Sequence, residues 1–95
     1  MTTFKPLEIA DIEIITQMMQ DFYEIDNYPM DVEVAKTLFQ EFIPNEHLGK
    51  SWLIYSENEI VGYIILTFIF SFEYGGKIAF VDELFIKETA RGNGF

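Results

Sequence analysis

A change of hydrophobic period near residue 49 restricts this fold more than any other feature. Before it, apolar side chains recur at steps of three and four, the spacing of one helix face. After it, the chain runs in stretches of β-branched and aromatic residues divided by turn clusters, which is how strands read. Such a chain has to lay helices against a sheet.

The helical part resolves into two segments. Ile12, Ile15, Met19 and Phe22 make one stripe and predict a helix from Asp11 to about Tyr23. Glu8 and Asp11 place negative charge at its start, where the helix dipole favours it. Asp26-Asn27-Tyr28-Pro29 is a turn cluster. A second helix is predicted from about Asp31 to Phe42, with Asp31 as its N-cap and Pro44 just past its end. Its expected buried face is Ala35, Leu38, Phe39 and Phe42. Met18 and Met19 are expected in the core. Met1 to Leu7 forms a lead-in with an edge strand around Thr3 to Lys5, since Pro6 lacks a ladder donor.

Three strands come next. Ser51 to Ser56 and Ile60 to about Phe70 are joined through Glu57-Asn58-Glu59, and Ile78 to Ile86 lies beyond a turn at Tyr74-Gly75-Gly76-Lys77. Gly62 inside the second strand predicts a bulge or a close backbone approach. The near-continuous apolar runs predict burial of both sheet faces, with helices on each side. No repeat or linker divides the 95 residues, so one domain is expected.

Composition removes whole classes of function. The chain has no cysteine, which excludes disulfides, thiolate zinc sites and a Cys nucleophile. The single histidine, His47, sits in a polar loop and reads as a surface residue, so no metal is expected and no serine has a histidine partner. A formal net charge of -10 opposes binding to nucleic acid. The same charge serves solubility or draws a cationic substrate such as an amine. Met1-Thr2-Thr3-Phe4-Lys5 lacks the apolar core of a signal peptide. The longest apolar run, Ile64 to Phe70 interrupted by Thr67, is too short to cross a membrane. These features lead to the expectation of a cytoplasmic, soluble protein with no membrane partner.

Chemistry concentrates at the third strand of the meander and in the residues just beyond it. Asp82 and Glu83 are adjacent carboxylates on that strand. Neighbouring strand residues point to opposite faces, so both reach one cleft only where the strand bulges. Past the strand, Arg91-Gly92-Asn93-Gly94-Phe95 reads as the opening of a glycine-rich loop that exposes backbone N–H groups to phosphate, beside a fixed positive charge. A helix would be expected after such a loop.

In these residues the chain resembles the GNAT superfamily of acetyl-coenzyme-A-dependent N-acetyltransferases. The family signature is Arg or Gln, two free positions, Gly, one free position, then Gly or Ala, directly after a core strand. Arg91 and Gly94 match it and Phe95 fills the second free slot. Glu59-Ile60-Val61-Gly62-Tyr63 is similar to the family's second-to-third strand transition. Asp82-Glu83-Leu84-Phe85-Ile86, four residues and then Arg91-Gly92, together with Phe72 to Lys77, resemble the diamine acetyltransferase branch.

The resemblance implies an α/β (α+β) fold of order β-α-α-β-β-β with a mostly antiparallel sheet. It covers the front half of the family domain, so the C-terminal helix-strand-helix portion is expected to be missing from the 95 residues. It further implies acetyl-CoA as cosubstrate and a small primary amine as acceptor. Backbone groups of Leu84, Phe85 and Ile86 would meet the pantetheine arm, and Arg91, Gly92, Asn93, Gly94 and Phe95 the pyrophosphate. Asp82 would face the amine as proton acceptor, with Glu83 beside it. Glu24, Asp26 and Asp31 lie near the helix-helix turn where the family admits substrate. Tyr23, Tyr28, Tyr55, Tyr63 and Tyr74 match no position of the family's proton-returning tyrosine. An unpaired edge on the strand Ile78 to Ile86 would favour a homodimer or an assembly role instead.

Overall fold

The computed structural model describes residues 1–88. Strand β1 (Thr2–Pro6) and a 3-10 turn (Ile9–Asp11) lead into α1 (Ile12–Ile25) and α2 (Val32–Phe42). The meander β2 (Gly49–Ser56), β3 (Glu59–Ser71) and β4 (Gly76–Ile86) completes the order expected from the sequence. The four strands lie β1-β2-β3-β4, with every pairing antiparallel.

Local chemistry sets the ends of these elements. The Asp31 Oδ1 accepts from the Glu33 and Val34 amides at 3.0 and 3.2 Å, so the predicted N-cap of α2 is present. At the other end of α1, Asn27 takes φ 58, the left-handed conformation that Asn tolerates. There the Tyr28 N–H donates to Tyr23 O at 2.9 Å and the Asn27 N–H to Glu24 O at 3.1 Å. This paired closure ends the helix and brings Tyr28 back toward Tyr23. Between β2 and β3, Glu57 and Asn58 both have positive φ, 51 and 67, giving the tight hairpin turn whose twist matches the flanking strands.

The core lies on one face of the sheet. Ile12, Ile15, Met18 and Met19 of α1 and Ala35 and Phe39 of α2 pack with Leu53, Tyr63, Ile65 and Phe85. Lys36 on α2 reaches Glu13 on α1 at 2.9 Å and ties the helices together. Of the helices expected on each side of the sheet, the described residues supply those on one face. Among the described residues both helices cover the same face, and the opposite face holds only a small cluster of Ile54, Val61 and Ile86. Phe70, Val81 and Leu84 are exposed among the described residues. Leu38 is a correction: it is 60% exposed rather than part of the buried helix face.

Candidate active site

β4 carries the feature on which a site can be built. Ile65 pairs with Glu83 but Leu66 pairs with Val81, so Asp82 is an extra residue with no partner across the ladder. The strand therefore bulges at Asp82, and the normal alternation of side chains is broken there. The bulge meets the condition the sequence set, and Asp82 and Glu83 both line one open cavity of about 480 Å³ between α1, α2 and the sheet. They also line an adjoining cavity of about 400 Å³, with Phe22, Tyr23, Asp26 and Tyr28.

Glu83 is held by two phenols. Tyr23 on α1 donates to its Oε2 at 2.5 Å, and Tyr63 on β3 donates to its Oε1 at 2.8 Å. The alignment is a product of the sheet: Tyr63 pairs with Phe85, and Glu83 lies two residues along on the same face. Phe85 then packs against Tyr63 and Phe22, with ring centroids 5.8 and 5.0 Å away. Asp82 makes no hydrogen bond or ion pair among the described residues and is exposed toward the cavities. One carboxylate is thus fixed and its neighbour is open to an incoming cation.

Both phenols hold their protons more tightly than an ordinary tyrosine. Burial is the main cause for each. The charge on Glu83 comes next for Tyr63, and the hydrogen bond to Glu83 comes next for Tyr23. The ordinary phenol value is 10.0. Above it the unfolded chain loses phenolic protons that the folded chain keeps, so stability falls as pH rises beyond that point. Urea unfolding should therefore give a lower midpoint at pH ~11 than at pH ~9, with the difference reduced in Glu83→Gln. Equal pH dependence in both proteins would show that Glu83 does not hold these protons.

The end of β4 supplies a backbone edge. Lys87 N–H donates to Val61 O at 2.7 Å. Successive strand residues turn their amides to alternate edges, so Phe85 also faces β3 while Leu84 and Ile86 face the outer side. A Cβ on Gly62 would lie 2.0 Å from Phe85 O, which places that carbonyl firmly toward β3. β4 is the end of the sheet among the described residues. Leu84 is 53% exposed on this strand. Within the expected trio, Phe85 contributes its ring to the core rather than its amide to that edge. Arg91, Gly92, Asn93, Gly94 and Phe95 lie outside the described residues.

Of the acidic residues near the helix-helix turn, Asp26 and Asp31 line the cavities. Asp31 is already occupied as a helix cap. Sequence reasoning missed the two tyrosines that grip Glu83, because they lie 60 and 20 residues from it. His47 is exposed, as expected. Among the described residues, no group of three or more His, Asp or Glu is placed to hold a metal, and no helix is long and apolar enough to cross a membrane.

Known proteins share this fold. Residues 13–95 match the model of the acetyltransferase (GNAT) family. No curated protein matches the chain in sequence. Among solved structures, an integron cassette protein from the mobile metagenome of Cole Harbour Salt Marsh is 36% identical, with a TM-score of 0.90 over 96% of this chain and 60% of its own. A predicted acetyltransferase with acetyl-CoA from Clostridium acetobutylicum is 17% identical, with a TM-score of 0.81 over 100% of this chain and 66% of its own. A ribosomal-protein-alanine N-acetyltransferase from Brucella melitensis biovar Abortus is 17% identical, with a TM-score of 0.76 over 100% of this chain and 63% of its own. The latter two support the fold alone. The chain spans about three fifths of the length of the solved proteins it matches.

Proposed function

The chain belongs to the acetyltransferase (GNAT) family, and we propose that the complete protein transfers an acetyl group from acetyl-CoA to a small primary amine. The observation that supports this reading best is the bulge at Asp82, which turns two neighbouring carboxylates toward one cavity beside the outer edge of β4. An amine site and a strand edge for a thioester-bearing arm then share one short piece of backbone.

When bound, the cosubstrate supplies an acetyl thioester. The acceptor amine arrives protonated, since a primary ammonium of the lysine type has a pKa of about 10.4. Asp82 and Glu83 attract it, and Tyr23 and Tyr63 keep Glu83 from swinging toward it. Asp82 accepts the ammonium proton, directly or through water. The freed nitrogen forms the new C–N bond to the carbonyl carbon, the C–S bond breaks, and sulfur leaves with the electron pair, taking up through water the second proton that nitrogen sheds as it becomes the amide. The outward N–H of Leu84 offers a donor to the carbonyl oxygen as charge builds on it. In the complete protein, Arg91 to Phe95 would hold the pyrophosphate.

Mass spectrometry of amines incubated with acetyl-CoA and the complete protein tests this reading. N-acetylated product that depends on the protein is the expected result. Absence of product from every primary amine, aliphatic and aromatic, would remove the assignment.

A further inference from the structure

The larger cavity has a pair of adjacent carboxylates at one side and a mostly apolar lining. Asp82 and Glu83 stand at one side, while Met19, Ala35, Phe39, Phe42, Leu48 and Ile65 make most of the rest. An amine whose nitrogen lies at Asp82 therefore extends its carbon skeleton along apolar side chains. A second ammonium on that skeleton would meet little to replace its water, and desolvating a charge without a partner is costly.

Two further carboxylates, Asp31 and Glu41, border this cavity, and both are exposed, so their charge stays in water. Asp31 spends its Oδ1 on the Glu33 and Val34 amides. Glu41 is exposed and borders the same cavity as Leu38 and Phe42. The adjoining cavity continues the acidic end, with Asp26 and the rings of Phe22, Tyr23 and Tyr28 around the same two carboxylates. The paired charge thus lies at Asp82 and Glu83, while the buried part of the lining, Met19, Ala35, Phe39 and Ile65, is apolar.

We propose that the acceptor is a monoamine with an apolar tail, an alkylamine or arylalkylamine, rather than a diamine or polyamine. The ammonium sits at Asp82 and the tail lies between α2 and β3, toward Leu38 and Leu48. This rests on the acetyl-transfer reading above. It goes further by naming the acceptor's chemistry, and it sets aside the diamine preference implied by the Asp82-Glu83 resemblance. Transfer of apolar surface from water drives the choice, and each methylene that enters the cavity adds a factor of roughly three to four in binding.

The test is kcat/KM of the complete protein with acetyl-CoA for butylamine, hexylamine, octylamine and phenethylamine against putrescine and spermidine. Values should climb roughly threefold to fourfold per methylene until the cavity is filled. The long monoamines should exceed the polyamines by more than about tenfold. Leu38→Glu places a charge at the apolar end, at an exposed position that should tolerate it. It should lower octylamine turnover and raise that of putrescine, while circular dichroism stays unchanged. Calorimetric titration with octylamine, read without turnover, should show the same loss in Leu38→Glu. Acetylation that is flat with chain length, or that favours putrescine or spermidine, overturns this inference and leaves acetyl transfer standing. No acetylation of any amine overturns both.

Discussion

Asp82→Asn in the complete protein should lower kcat/KM for amine acetylation by about a hundredfold to ten-thousandfold, the usual range for a lost general base. That is about 3–5 kcal/mol of transition-state stabilisation. The substitution keeps the shape of the side chain at the bulge and removes its charge. Asp82 is exposed and makes no hydrogen bond or ion pair among the described residues, so the fold should hold and thermal unfolding should be unchanged. Residual activity should climb with pH, because amine that is already neutral no longer needs a protein base. Glu83→Gln should cost less, since the Gln side chain can still accept from a tyrosine while only the fixed charge is gone. A variant at Asp82 with wild-type kcat/KM and pH profile would move the base elsewhere.

Gly62→Ala should be among the most destabilising single changes in the protein. Its Cβ would lie 2.0 Å from Phe85 O and 3.0 Å from the same carbonyl carbon, both backbone atoms that no rotamer change can move. β3 and β4 would have to part where Phe85 packs on Tyr63 and where the amide of Leu84 faces the outer edge. Forced overpacking of this kind costs about 3 kcal/mol or more. In a domain of this size that lowers the melting temperature by at least about 12 °C. Gly75→Ala is the matched comparison. Gly75 has φ 83 but nothing within 4 Å of the added carbon, so only the left-handed backbone is penalised, at about 1 kcal/mol. Thermal unfolding followed by circular dichroism separates the two. Equal melting temperatures would mean that the β3–β4 approach at Phe85 tolerates a side chain.

The helices, the meander and their order were legible because each rests on local chemistry. Asp31 caps α2 with its own carboxylate, and the Glu57-Asn58 turn closes its hairpin within a few residues. Gly62 announced a close approach, and Phe85 O is what approaches. The adjacent pair Asp82-Glu83 posed a geometric condition, and the β4 bulge meets it. What lies over the far side of the sheet is not legible in the strands, because β-branched and aromatic runs show that a strand forms, not what covers it. Leu38 fits the helical stripe yet borders the open cavity and stays exposed. The grip of Tyr23 and Tyr63 on Glu83 depends on where α1 crosses the sheet and on the β3–β4 register. Neither quantity is encoded in local spacing.

Amide chemical-shift mapping of the isotope-labelled complete protein tests most directly whether the bulged end of β4 is the floor shared by both substrates. Titration with CoA should move the amide of Leu84, and later addition of butylamine should move those of Asp82, Glu83 and Tyr23. Shifts that leave β4 untouched and gather instead at Leu7, Lys50 and Ser51, around the small cavity at the start of β2, would contradict it.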